Sequence, residues 1–199
     1  MVPGNNQTML SDFVTRLRAR CRARGFTLVE LMITIAIAAI LAMIAVPSFQ
    51  RIILSNRLTT AANALTNSLN LARLDAIKLN STTQVCSNNA TSNNSDTLGA
   101  ACGTNTGAIY ALPQSGAPVL VRTSSLNLDS QIQLSGTVAA IRFSGQGFGY
   151  SATGTASTPY NGGTVAIVCS SALSSSNRRV VSLTAGSIIT TATTTGSCP

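Results

Sequence analysis

A single carboxylate opens a long uncharged stretch, and that arrangement limits what the chain can become. Residues 31–46 contain no charged side chain. With residues 26–29 before them and 47–49 after them, the apolar run reaches the ~20 residues that a helix needs to cross a bilayer. Glu30 is the one acid inside it. An ionisable group at membrane depth costs roughly 2.5–3.5 kcal/mol on insertion scales, and less towards a helix end, so Glu30 calls for a partner. Arg16, Arg18, Arg20, Arg22 and Arg24 precede the run. Lys and Arg on one flank of a span stay cytoplasmic, which predicts a single-pass anchor with its N-terminus in the cytoplasm and the remainder exported.

Glycine divides the chain beyond this leader. None lies between Gly25 and Gly99, and 13 of the 15 lie from Gly99 onward, so the first part is built for helix and the second for turns. Beyond the anchor, Leu54, Leu58, Ala61, Ala62, Leu65, Leu69, Ala72, Ala76 and Leu79 recur at three- and four-residue steps, with Asn56, Arg57, Asn63, Asn70 and Arg73 between them. A helix over residues 26–80 is roughly 80 Å long at 1.5 Å per residue, more than a bilayer needs, so its second half projects beyond the membrane. Pro47 is expected to bend it.

After Asn80 the pattern turns to short β-prone runs: 82–86, 109–112, 119–123, 132–134, 138–143, 164–169, 180–183 and 187–191. They predict an antiparallel sheet whose apolar face covers the stripe on the helix, an α+β unit. The Asn-, Ser- and Thr-rich segment 87–99 is expected to be a solvent loop. Gly145-Gln146-Gly147-Phe148-Gly149 reads as a turn between strands, because it has neither the spacing nor the strand-to-helix setting of a phosphate loop.

Catalysis has little to draw on. The chain has no His, and its acids after the leader are Glu30, Asp75, Asp96 and Asp129, so no nucleophile triad or carboxylate pair is available and no enzyme is predicted. Four cysteines remain beyond Cys21 of the leader: Cys86, Cys102, Cys169 and Cys198. An even number in an exported domain predicts disulfides. Three pairings are open, and proximity in the chain favours Cys86 with Cys102 and Cys169 with Cys198. No C-x-x-C pair is present, so no metal site and no cofactor are expected. The net charge of +8 falls to +4 without the leader, from eight Lys and Arg against four acids. Arg178 and Arg179 form the one adjacent basic pair after the leader; at a hairpin tip they would be candidates to meet phosphate and hence DNA, although a solvated turn is the commoner use of such a pair.

The order of a basic leader ending in Gly25, then Phe26, then Thr27-Leu28-Val29-Glu30-Leu31 and an apolar helix resembles the class III signal of type IV prepilins and type II secretion pseudopilins. The resemblance implies cleavage between Gly25 and Phe26 by a prepilin peptidase, with N-methylation of Phe26. The freed α-amine of Phe26 would be a nearly buried cation one turn from Glu30, and the family places that contact between neighbouring subunits, where it sets their register. The implied organisation is a cleaved leader over 1–25, the transmembrane part of the N-terminal helix over 26–49, its amphipathic part over 50–80, and a β-rich globular part with two disulfides over 81–199. This is the pilin fold, α+β, with one long helix packed on an antiparallel β-sheet domain.

The globular part is similar to the GspH/FimT/FimU minor pilins and pseudopilins, through Val85-Cys86-Ser87, Ile141-Arg142-Phe143-Ser144 and Val165-Ala166-Ile167-Val168-Cys169, with Arg178-Arg179-Val180-Val181-Ser182 after them. The resemblance implies a minor type IV pilin, held in the inner membrane with its globular part periplasmic and then built into a pilus tip or initiation complex. The implied partners are the prepilin peptidase, other minor pilins and the major pilin. The alternatives are a minor pseudopilin of a type II secretion system and a DNA-binding competence pilin. DNA-binding members carry a Gly-Arg-x-Arg segment; the corresponding place here reads Gly186-Ser187-Ile188-Ile189, which leaves Arg178 and Arg179 as the DNA candidates.

Overall fold

The computed structural model of the chain describes residues 25–114, 116–153, 159–185 and 187–199. Residues 1–24, with their five arginines and Cys21, and Gly186 of the loop before the last strand lie outside the described residues. The chain divides into two units, one ending at Val46 and one comprising Pro47–Pro199, and helix α1 (Leu28–Leu79) contributes to both.

In the first unit α1 opens at Thr27, whose Oγ1 accepts from the Glu30 backbone N–H at 3.2 Å. This is the reach of an N-cap hydroxyl to the third helical residue, which satisfies one of the four free donors of a helix start. Every described residue of this unit is exposed, including Leu28, Ile33, Ile37 and Leu41. The helix is long and apolar enough to cross a membrane, and the run is apolar on all sides, which fits it for lipid or for other helices.

In the second unit the same helix becomes one-sided. Leu54, Leu58, Ala61, Ala62, Leu65, Leu69, Ala72 and Ala76 are buried, as the three- and four-residue spacing requires. Leu79 departs from that spacing: it is exposed at the last residue of the helix, where the chain has already turned towards β1. Thr83 Oγ1 donates to the Ala72 carbonyl at 2.8 Å and holds that turn against the helix.

Two antiparallel sheets flank this apolar face, where the periodicity suggested one. The first has the order β3-β2-β1-β5-β6, built from β1 (Thr82–Val85), β2 (Ile109–Leu112), β3 (Val119–Arg122), β5 (Ile141–Phe143) and β6 (Gly149–Ser151). The second has the order β4-β7-β8-β9, built from β4 (Gln133–Leu134), β7 (Gly163–Cys169), β8 (Arg178–Thr184) and β9 (Ile188–Thr194). Helix residues share one core with Val85, Ile109, Ile141 and Phe143 of the first sheet and Val165, Val168, Val181 and Leu183 of the second. The Gly-rich run closes the β5–β6 hairpin: Gly147 N–H donates to Ser144 O at 2.8 Å, with Gly147 at φ +82°, where a side chain would be strained. β6 itself escapes the strand pattern, because it is three residues long and starts inside that run.

Segment 87–99 is a structured clip, not a solvent loop. Ala90–Asn93 forms a 3₁₀ turn and Thr97–Cys102 a short helix, α2, capped by Asp96, whose Oδ1 accepts from Gly99 N–H at 2.8 Å. Ser87, Asn93, Leu98 and Gly99 are buried. The polar composition misleads here because the side chains satisfy one another internally.

Candidate functional site

The residues expected from the sequence to serve processing and assembly, Gly25, Phe26 and Glu30, lie together at the start of α1. Gly25 and Phe26 precede the helix, and an atom placed where a Gly25 side chain would begin meets nothing within 4 Å among the described residues, so packing against them does not demand glycine there. Phe26 is 71% exposed. Glu30 occupies the third position of the helix, where a carboxylate is favoured by the helix dipole and where Thr27-x-x-Glu30 has the form of a capping box. The Thr27 half of that box is made; the Glu30 side chain has no hydrogen bond or ion pair among the described residues. The local geometry therefore leaves an acid exposed in an apolar surface, within one turn of Phe26.

The cysteines are joined as Cys86–Cys102 and Cys169–Cys198, separated by 16 and 29 positions in sequence. Loops of that length remove roughly 3–4 kcal/mol of chain entropy from the unfolded state in the loop-closure model. The first bond fastens α2 to the end of β1, and the second fastens the C-terminus to β7.

A polar network surrounds the first disulfide and was not visible in the sequence. Asn93 Oδ1 accepts from Ser87 N–H at 2.8 Å and from Gln84 Nε2 at 3.1 Å, while its Nδ2 donates to Gly103 O at 2.8 Å. Gln84 Oε1 in turn accepts from Arg142 Nε at 2.7 Å. The Arg142 guanidinium then grips both oxygens of Asp96, at 2.7 and 2.6 Å. That hydrogen-bonded arginine, opposed in part by burial, holds the Asp96 carboxyl below the usual carboxylate range. The bonds join residues up to 58 apart in the chain, so no local motif announces them.

The basic pair sits within β8, not at a hairpin tip. Arg178 pairs in register with Cys169 of β7 and Thr194 of β9, and Arg179 with Val168 and Thr193. Arg178 reaches Ser135 Oγ at 3.2 Å. Arg179 falls on the inward phase of the strand with Val181 and Leu183, and is 7% exposed. Its guanidinium donates to Thr59 Oγ1 at 3.2 Å and Ser55 Oγ at 3.0 Å on α1, and to the carbonyls of Ser176 at 2.8 Å and Arg178 at 3.2 Å. Neither arginine meets a carboxylate among the described residues. Nor does any group of three or more metal-ligating side chains occur among them.

Comparison with known families agrees with this arrangement. Residues 61–187 match the family model described as Type II transport protein GspH, and residues 20–46 match that of the Prokaryotic N-terminal methylation motif. No curated protein and no solved structure matches the chain. The second match covers the leader's end, the Gly25-Phe26 junction and the apolar run; the first covers α1 from Ala61 through the turn before β9, well over half of the sequence. The chain therefore belongs to the GspH family and is a type IV pilin-like or pseudopilin subunit carrying the N-terminal methylation signal.

Proposed function

We propose that the protein is a minor type IV pilin, cut between Gly25 and Phe26 by prepilin peptidase, N-methylated at Phe26, and held in the inner membrane until it enters a pilus tip or initiation complex. The observation that carries this reading is the start of α1, an apolar surface exposed on every side with one acid in it that has no partner among the described residues. Lipid can cover the apolar residues of a single chain but does nothing for Glu30. The α-amine created at Phe26 of a neighbouring subunit is a cation of matching charge, and burial with it offsets the cost of carrying the carboxylate into hydrocarbon. The open space around Gly25 supports a glycine requirement imposed by the peptidase, not by this chain's fold. The globular part would stand in the periplasm, where its cysteines can oxidise. No catalytic role is assigned to it, and its partners are other pilin helices and globular domains.

The test uses Glu30→Gln and Glu30→Val. Gln preserves a side chain able to complete the capping box, whereas Val does not, and neither carries charge. Both variants should remain processed at Phe26, as read by intact mass, and both should be strongly depleted from sheared filaments. Incorporation of Glu30→Gln at the parental level would reduce Glu30 to a helix cap and sink the charge-matching account.

A second reading, a minor pseudopilin, is favoured by the description of the matching family model. It uses the same anchor and the same acid. Deleting the protein should abolish twitching under the first reading and protein export under the second. The DNA-binding alternative looked to Arg178 and Arg179, and Arg179 donates to Thr59 and Ser55 of α1, which leaves Arg178 as the more accessible of the pair.

A further inference from the structure

The globular unit balances its acids and then runs out of them. Asp75, Asp96 and Asp129 are each paired, with Arg122 at 2.7 Å, Arg142 at 2.6 Å and Arg57 at 3.1 Å. Two arginine side chains are deeply buried, Arg142 and Arg179, and they are treated differently: Arg142 faces Asp96, but Arg179 has only hydroxyls and carbonyls as partners among the described residues. A buried cation without a counter-charge is costly, and neutral hydrogen bonds recover only part of its lost hydration.

Two of its partners, Ser55 and Ser176, also form the wall of an open cleft of about 220 Å³ between α1 and the β7–β8 loop. The remaining lining includes Arg51, Ile52 and the exposed Ser174 and Ser175. Arg51 is exposed and has no ion-pair partner among the described residues. Ser55 accepts from Arg179, so its own hydroxyl proton is available to the cleft. Ser176 is held at φ +50°, outside the usual region for a residue with a side chain, by a backbone bond from its N–H to Thr195 Oγ1 at 2.9 Å. The cleft thus offers one exposed cation, serine hydroxyl donors and a buried guanidinium behind them, and no acid is among the described residues that line it. That is the chemistry of a phosphate site.

We propose that this cleft binds a phosphate group, carried by an anionic phospholipid or free in solution. Sequence position favours the lipid. Arg51 follows the apolar run directly, and Ile52 gives the cleft an apolar side along which an acyl chain could lie. Cations close to the exported end of a span are what the charge rule for membrane insertion disfavours, so a bound headgroup would supply a reason for Arg51 being there. A DNA duplex fits less well, because it cannot reach a guanidinium enclosed behind Ser55 and Ser176.

The proposal relies on the anchored-subunit reading only for a supply of lipid, and it is tested without any filament. The full chain, purified in a neutral detergent, is titrated with dihexanoyl phosphatidylglycerol, dihexanoyl phosphatidylcholine, inorganic phosphate and a short DNA duplex, with the thermal midpoint as readout. The expected result is saturable stabilisation by phosphatidylglycerol in preference to phosphatidylcholine. Arg51→Ala and Ser175→Glu, both at exposed positions, should weaken it about tenfold or more, the scale of one lost charge-assisted hydrogen bond. Lys78→Ala, an exposed cation elsewhere, should leave it unchanged. Competition by inorganic phosphate would identify the phosphate alone as the determinant, and its failure to compete would assign part of the affinity to the acyl chain. Equal response to both lipids, equal loss in Lys78→Ala and Arg51→Ala, or a duplex that stabilises where phosphatidylglycerol does not would overturn the proposal. Failure of the Glu30 variants to assemble would bear on the pilin reading and leave these titrations untouched.

Discussion

Helix α1 carries two different instructions in one continuous element. Residues 28–46 expose Leu, Ile and Met on every side, whereas from Leu54 to Ala76 one face is buried and the other is wet. Both stretches are α-helical; what differs is the spacing of polar residues. The first stretch can only be satisfied by surroundings that the chain does not itself contain, while the second is satisfied by the chain's own sheets. An exposed apolar surface and a buried apolar face are thus distinguished by periodicity, not by hydrophobicity.

Removing equivalent bulk from each stretch puts this contrast under the greatest strain. Leu69→Ala, at a residue 1% exposed, should destabilise the globular unit by about 2–5 kcal/mol in denaturant titrations of the detergent-solubilised chain. Ile37→Ala, at a residue 54% exposed, should leave the same transition where it was. A shift of similar size for Ile37→Ala would mean that the first stretch contributes to the globular core.

Glycine separates the two regions again, with a smaller effect. A side chain at Gly99 would begin in collision with the Asn93 carbonyl oxygen, inside the clip where α2 crosses the 3₁₀ turn. Gly99→Ala should therefore cost about 1–3 kcal/mol as the backbone gives way. Gly25→Ala, in open space, should cost the fold nothing measurable and show its effect, if the processing reading holds, as retention of the leader in the intact mass.

The mildest effect concerns pH. With the folded Asp96 carboxyl held below its unfolded value, the Arg142 pair contributes stability that is complete above the ordinary carboxylate range, near pH 4, and is lost as pH falls through the folded value. Asp96 is 44% exposed, so solvent screening keeps the contribution modest. Asp96→Asn should flatten the acid limb of the stability profile below about pH 4 and lower neutral stability as well, because it leaves the buried Arg142 guanidinium without its counter-charge. An unchanged acid limb would show that the Asp96–Arg142 pair is not its source.

Much of the fold is legible because it rests on period and punctuation. The apolar, exposed first part of α1 follows from an uncharged run, the helix face from three- and four-residue steps, and the turn regions from the placement of glycine. The features that escaped have a common cause. Segment 87–99 reads as a solvent loop on composition, yet Asn93 is buried because its amide is met by Gln84 of β1, itself bound by Arg142, 58 residues on, and such pairings leave no periodic trace. Two sheets in place of one result from which strands pair, which the strand runs themselves do not specify. Arg179 is the instructive miss. It shares the two-residue phase of Val181 and Leu183, so the alternation of β8 already aimed it inward, and adjacency to Arg178 drew attention to charge when phase was the stronger signal.

The contact of Arg179 with α1 also has a mechanical side. Within the globular unit, small and large apolar residues of the helix interlock with side chains from two sheets, and the guanidinium bridges Ser55 and Thr59 to the second of them. A tug along the helix axis is then met in shear, by many side chains at once, and cannot peel them apart one by one. Force arriving through α1 would be shared between both sheets, with the Cys169–Cys198 bond tethering the far end of the chain under load.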